Sequence, residues 1–132
     1  MKSLVGSAIA LSLTLMAAPI EPGYDTASVM TVTGKVTAVR EVSKDRPLAG
    51  VHLIVQQESQ TLDIYIGPTE FVKVFDVAFA KGDEIRVIGS KVDFDGSKVV
   101  LAREVTLGTV TLVCRDKDGS PLWKYFIKVP VG

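Results

Sequence analysis

The sequence predicts a mainly-β domain: a five-stranded Greek-key barrel with one helix between strands three and four, followed by a C-terminal β-hairpin. Three observations predict it. Apolar and polar residues alternate with period two through most of residues 29–115, with many β-branched side chains. Two strand segments carry an internal glycine, Gly34 and Gly89, as a strongly curved strand requires. One stretch alone, residues 68–82, leaves the alternation for helical spacing.

The chain has 132 residues, 47% hydrophobic and 23% charged, with a formal net charge of zero. This is the composition of one globular domain. A protein that tracks a nucleic-acid backbone carries a basic excess, which is absent here over the whole chain. Residues 1–18 read as a signal peptide. Lys2 supplies the positive start, residues 4–16 are uncharged and apolar or small, and Ala17-Ala18 offers a cleavage site. The apolar run is shorter than the roughly 20 residues of a membrane span, so the mature form is expected to carry no transmembrane span. The expected location is the periplasm or the exterior, with an uncleaved N-terminal anchor as the alternative. Residues 19–28, with Pro19, Pro22 and Gly23, read as a flexible lead-in.

The barrel is expected over residues 29–107. In the first strand Val32, Gly34 and Val36 alternate with threonines and Lys35, and the pattern slips so that a bulge would place Val36 and Val39 on one face. After the polar residues 43–50, Val51, Leu53 and Val55 form one strand and Leu62, Ile64 and Ile66 its antiparallel partner across a short turn. Pro68 suits the first turn of a helix, Glu70 its positive end, and Phe71, Val74, Phe75, Ala78 and Phe79 its apolar stripe; Lys81-Gly82 would close it. The valines 72, 74 and 77 weaken that helix. Strands over 85–92 and 99–107 flank the hairpin turn Asp95-Gly96, and residues 108–132 read as a smaller hairpin or tail around Asp118-Gly119.

This order of strands and helix resembles the OB fold. The segments Val-Thr-Gly-Lys-Val at 32–36 and Lys-Gly-Asp-Glu-Ile-Arg-Val-Ile-Gly-Ser-Lys-Val at 81–92 look like its first and fourth strands. His52-Leu53, Ile66-Gly67-Pro68 and the closing pattern of Arg115, Asp116, Gly119, Pro121 and Trp123 are similar to those of small secreted or periplasmic bacterial OB-like proteins. The resemblance implies a ligand face across the first three strands and no particular activity.

Catalytic and metal constellations lack their parts. There is one histidine, His52, and one cysteine, Cys114; no Gly-x-Ser-x-Gly, Cys-x-x-Cys or His-Glu-x-x-His occurs, so neither zinc nor haem is implied and no cofactor is expected. Cys114 sits between strand residues and reads as a core thiol, which argues against a dyad with His52. The two Asp-x-Asp-Gly segments at 93–96 and 116–119 have part of a calcium-loop pattern, but Asp-Gly is also a hairpin turn signal. What remains is binding on the outward side chains of the first three strands, Thr33, Lys35, Thr37, Arg40, His52, Ile54, Gln56, Asp63 and Tyr65. Within this set His52, Tyr65, Ile54, Lys35 and Arg40 are the candidate contact residues, for an envelope protein or a small ligand. A single-strand nucleic-acid binder is the first alternative, a metal-binding or enzymatic envelope protein the second; one tyrosine and two cations make a thin stacking surface for bases. Trp123, Tyr125 and Phe126 are expected to pack the C-terminal hairpin on the barrel.

Overall fold

The computed structural model describes residues 21–127; the signal peptide or anchor read in residues 1–18 lies outside them. A short 3-10 turn (Thr26–Ser28) leads into β1 (Val29–Val42), then β2 (Gly50–Gln57), β3 (Gln60–Gly67), α1 (Thr69–Val74), β4 (Glu84–Phe94), β5 (Ser97–Leu107), β6 (Val110–Val113) and α2 (Trp123–Ile127). The strand order is β3-β2-β1-β4-β5-β6, and parallel pairing of β3 with β5, Ile64 opposite Val100, closes the first five into a barrel. This is the expected OB-type architecture, with β6 outside the ring.

The 14-residue β1 serves two neighbours. Its first half pairs with β4 and its second half with β2, and Lys35 lies opposite both Glu84 and Gln56. The strand must bend where it changes partner, and Gly34 sits at that point. A Cβ there would lie 2.6 Å from both the Gln56 carbonyl oxygen and Val55 Cγ1. Gly89 repeats the device on β4, 2.5 Å from the Leu101 carbonyl oxygen, at a register shift with β5. The expected bulge falls between Val36 and Ala38. It leaves Val36 buried and Val39 opposite Leu53 on the same side, but at the rim, 43% exposed.

Val32, Val36, Leu53, Val55, Ile64, Ile66, Val87 and Val105 fill the barrel, each 1% exposed or less. Phe71 from α1 joins them, also 1% exposed, and its burial contributes about 2–3 kcal/mol. The helix is shorter than its apolar spacing predicts. It ends at Val74, which is 61% exposed, and Phe75 is already extended. Phe75 and Phe79 reach the core from non-helical backbone, and Lys81-Gly82 forms the turn into β4 instead of a helix cap. The β-branched valines and the core's demand for both phenylalanines override the helical period.

The C-terminal segment also differs in detail from its expected form. β6 makes a hairpin with β5, Arg115 and Pro121 form a single bridge, and residues 123–127 are helical where a return strand or a tail was expected. Asp116 and Gly119 shape the turn between them: the Asp116 carboxylate accepts the Asp118 and Ser120 N–H groups at 2.9 and 3.0 Å. Residues 21–28, the described part of the lead-in expected over 19–28, contact the barrel. The Asp25 N–H donates to Ser90 Oγ at 3.0 Å, and Tyr24 lies so close to Gly119 that a Cβ on the latter would meet its ring at 2.2 Å.

Candidate functional site

A second apolar cluster sits on the outer side of the β3–β5 seam. Leu48, Tyr65, Val99 and Leu101 are its buried members, and Tyr24, Val92, Phe94 and Trp123 pack against it. The seam is therefore buried on both faces. Alternation along β2 and β3 correctly turns His52 and Tyr65 away from the barrel interior, and they stand directly opposite each other with ring centroids 5.0 Å apart. Neither is an exposed contact surface, however: His52 is 5% and Tyr65 4% exposed. The cover includes Leu48, four residues before His52, and the distant Tyr24, which packs on the Tyr65 cluster, while Glu21 holds Leu48.

The covering loop is fastened at several atoms. The Tyr65 hydroxyl donates to the Ala49 carbonyl at 2.8 Å, and the Leu48 N–H donates to the Glu21 carboxylate at 2.7 Å. Leu48 has φ of 54°, a left-handed conformation unfavourable for leucine, and it is held there with its side chain 1% exposed. His52 Nδ1 lies 2.8 Å from Asp63 Oδ1, and Nε2 lies 2.8 Å from the Leu48 carbonyl oxygen.

Burial acts to lower the His52 pKa, but the hydrogen bonds to Asp63 and to the Leu48 carbonyl, with the Asp63 charge, outweigh it and leave the pKa above the ordinary 6.5; Arg40 opposes weakly. Tyr65 is pushed far upward by burial, then by the charge of Glu21, and stays a neutral donor. Burial likewise pushes the Cys114 thiol up to about 12. Cys114 lies in the barrel core, and both ring nitrogens of His52 are engaged elsewhere, so the two do not form a dyad.

A groove of about 800 Å3 opens beside His52. Its floor is His52 and Asp63 on β2 and β3. One wall is the end of β1 and the following loop, with Arg40, Glu41, Asp45 and Arg46; the other is the β4–β5 turn, with Phe94 and Asp95. Asp95 (φ 50°) and Gly96 (φ 78°) make that turn, so the first Asp-x-Asp-Gly segment shapes a hairpin. The structure thus gathers His52, Arg40 and the outward Asp63. It leaves Ile54 and Lys35 outside the groove: Ile54 sits opposite Ala38 and Asp63, and Lys35 is exposed near the other end of the β1–β2 pairing.

Arg46 is one of four cations, with Lys35, Arg40 and Lys44, whose alignment in a basic strip would favour nucleic acid; only Arg40 and Arg46 line this groove, while Asp45, Phe94 and Asp95 were missed. The sequence signal for these three was their place in or beside the connections between strands one and two and strands four and five, which border OB ligand sites.

A second cleft, about 670 Å3, lies across residues 43–49 from the first and is lined by Tyr65, Phe71, Val74 and Trp123, with the Lys44–Glu70 ion pair (2.8 Å) at its rim. Arg46 lines both, so the loop is the wall between them. Trp123 packs edge-on against Tyr65 at 5.9 Å, as expected of a packing residue, and Arg115 stacks over Trp123 at 4.9 Å while donating to the Gly119 carbonyl at 2.9 Å. Tyr125 is instead 60% exposed. Among the described residues no three His, Cys, Asp or Glu side chains are grouped so as to hold a metal ion, and no helix is long and apolar enough to cross a membrane.

The model of the MamS/MamX magnetosome protein family matches residues 28–112. The match takes in the barrel and the groove side chains and stops before the Arg115–Trp123 segment. That family is not the secreted OB-like group the motifs resemble, while an OB-like barrel is compatible with it. No curated protein matches the chain.

Proposed function

The chain belongs to the MamS/MamX magnetosome protein family, and from that premise we propose that it is a non-enzymatic binding domain of the magnetosome or cell envelope whose ligand or protein partner occupies the groove over His52 and Asp63. One observation carries the reading: the groove lies over β2 and β3, between the β1–β2 loop and the β4–β5 turn, where OB barrels take their ligands. Its charge composition selects the kind of partner. Arg40 and Arg46 face Glu41, Asp45, Asp63 and Asp95. A phosphate backbone requires a run of cations, so this mixture favours a polar small molecule or a protein segment carrying both signs over a nucleic acid. Export, inferred from residues 1–18, would deliver the domain to such a partner outside the cytoplasm.

The test compares the wild-type chain with Arg40→Glu, an exposed change that leaves the core intact, in affinity capture from envelope and magnetosome extracts. The expected result is a retained partner that Arg40→Glu loses. Equal recovery by both would refute the groove as the binding surface. A parallel titration with single-stranded DNA at low salt is expected to be flat; salt-dependent saturation would return the nucleic-acid alternative to first place.

A further inference from the structure

We propose that His52 is a proton-operated latch on the wall of this groove: as imidazolium it holds residues 43–49 through the Leu48 carbonyl, and on losing its proton it releases them. The argument starts from donor and acceptor counting. Both ring nitrogens lie 2.8 Å from an oxygen that can only accept, the Asp63 carboxylate and the Leu48 carbonyl. A neutral imidazole has one N–H, and only the charged ring donates to both. With the ring 5% exposed, little water is at hand to replace a lost partner.

Deprotonation has a preferred side. A hydrogen bond to a carboxylate is stronger than one to a neutral carbonyl, so the remaining proton stays on Nδ1, toward Asp63. The Nε2 lone pair then faces the Leu48 oxygen lone pairs at 2.8 Å, which is repulsive. Leu48 is the residue least able to absorb that repulsion in place. Its left-handed backbone is unfavourable and is maintained by its ties to His52, to Glu21 and to the apolar seam. Movement of Leu48 carries Asp45 and Arg46, the side chains this loop gives to the groove.

The groups around His52 set the direction. Asp63 on β3 favours the charged ring, and Arg40, its cross-strand partner on β1, opposes it. Tyr65 on β3 stays neutral and packs with Leu48, Val99 and Leu101, and Asp95 of the β4–β5 turn and Glu41, Asp45 and Arg46 line the same groove. Glu21 acts one step away, on the Leu48 N–H. The balance raises the ring's pKa from the ordinary 6.5, so the wall is closed in mild acid and loosens as pH rises through that raised value. The consequence for binding rests on the groove being the binding site; the latch itself does not.

The chain's single histidine makes the test direct. Imidazole and backbone amide resonances of the full chain are followed across pH without ligand. The expected result is a His52 midpoint above 6.5 and, at that same midpoint, a drop of about tenfold in exchange protection of the Arg46 and Leu48 amides, which donate to the Ser43 carbonyl and the Glu21 carboxylate, beyond the intrinsic base catalysis. In Asp63→Asn both transitions move to lower pH together; in His52→Gln the loop transition disappears. Loop amides that ignore the His52 titration, or a loop transition that persists in His52→Gln, would overturn the latch. If His52→Gln does not fold, the wild type and Asp63→Asn carry the test. Because no partner enters, failure of the latch leaves the Arg40→Glu capture result standing, and the reverse holds equally.

Discussion

Replacing Gly34 by alanine sets two opposed effects against each other, and the geometry decides the sign. In a strand with ordinary space, Gly→Ala raises stability by about 0.4–1 kcal/mol, because alanine loses less backbone freedom on folding. At Gly34 the new methyl would meet the Gln56 carbonyl oxygen and Val55 Cγ1, both at 2.6 Å, where ordinary contact begins near 3.4 Å. One obstacle is backbone in the adjacent strand, and the other is a side chain fully buried in the core. Neither can yield without moving β2 away from β1, the kind of overpacking that costs about 1–3 kcal/mol. The expected net effect is a destabilisation of about 1–2 kcal/mol. Urea unfolding followed by the fluorescence of Trp123 measures it, with a lower midpoint and an unchanged slope. Gly23→Ala, where a Cβ meets nothing within 4 Å, is the control and should change stability by less than about 0.5 kcal/mol. A Gly34→Ala protein as stable as the wild type, or more so, would refute the claim that β1 needs this glycine to change partners.

Three further outcomes are expected. Because His52 has a raised folded-state pKa, the stability it contributes is fully present below 6.5 and is lost as pH rises through the folded-state value; the urea midpoint should fall over that window in the wild type and less in His52→Gln. Arg115→Lys, which removes the planar stack over Trp123 and the bond to the Gly119 carbonyl, should cost about 1–3 kcal/mol and shift the emission of the chain's one tryptophan, whereas an unshifted spectrum would place Trp123 in an environment independent of Arg115. Cys114, buried and with its thiol pushed up to about 12, should resist alkylation near neutral pH in the native state and react once urea unfolds the chain; fast native labelling would contradict its place in the core.

Most of the barrel was legible in the residues themselves. Alternation of Val51, Leu53 and Val55 with their neighbours, and of Leu62, Ile64 and Ile66, specified two strands and their inner face, because a side-chain period of two leaves only one register that buries them. Asp95-Gly96 specified a turn through its left-handed backbone preference, and the two strand glycines marked the bends. The helix was legible in its start and not in its end. Phe71, Phe75 and Phe79 satisfy a helical period, but with Phe71 buried against the barrel the other two reach the core from non-helical backbone.

The candidate site was legible only in part, for a reason of range. Alternation states which side of a strand a residue faces; it does not state what lies over that side. His52, Tyr65 and Arg40 were placed on the outer face from sequence, and the structure draws His52 and Arg40 to one groove. That Tyr65 is sealed by Leu48, Val99 and Leu101, and that Glu21 reaches a residue 27 positions along the chain to hold Leu48, depends on contacts between segments with no local signature, although Leu48 itself is only four residues from His52. Local pattern was enough to specify the strands, their glycine bends and the balanced charge. The cover on the outer face of the β3–β5 seam emerges from the folded arrangement alone, because it joins Tyr24, Leu48, Tyr65, Val99, Leu101 and Trp123, which no local pattern links.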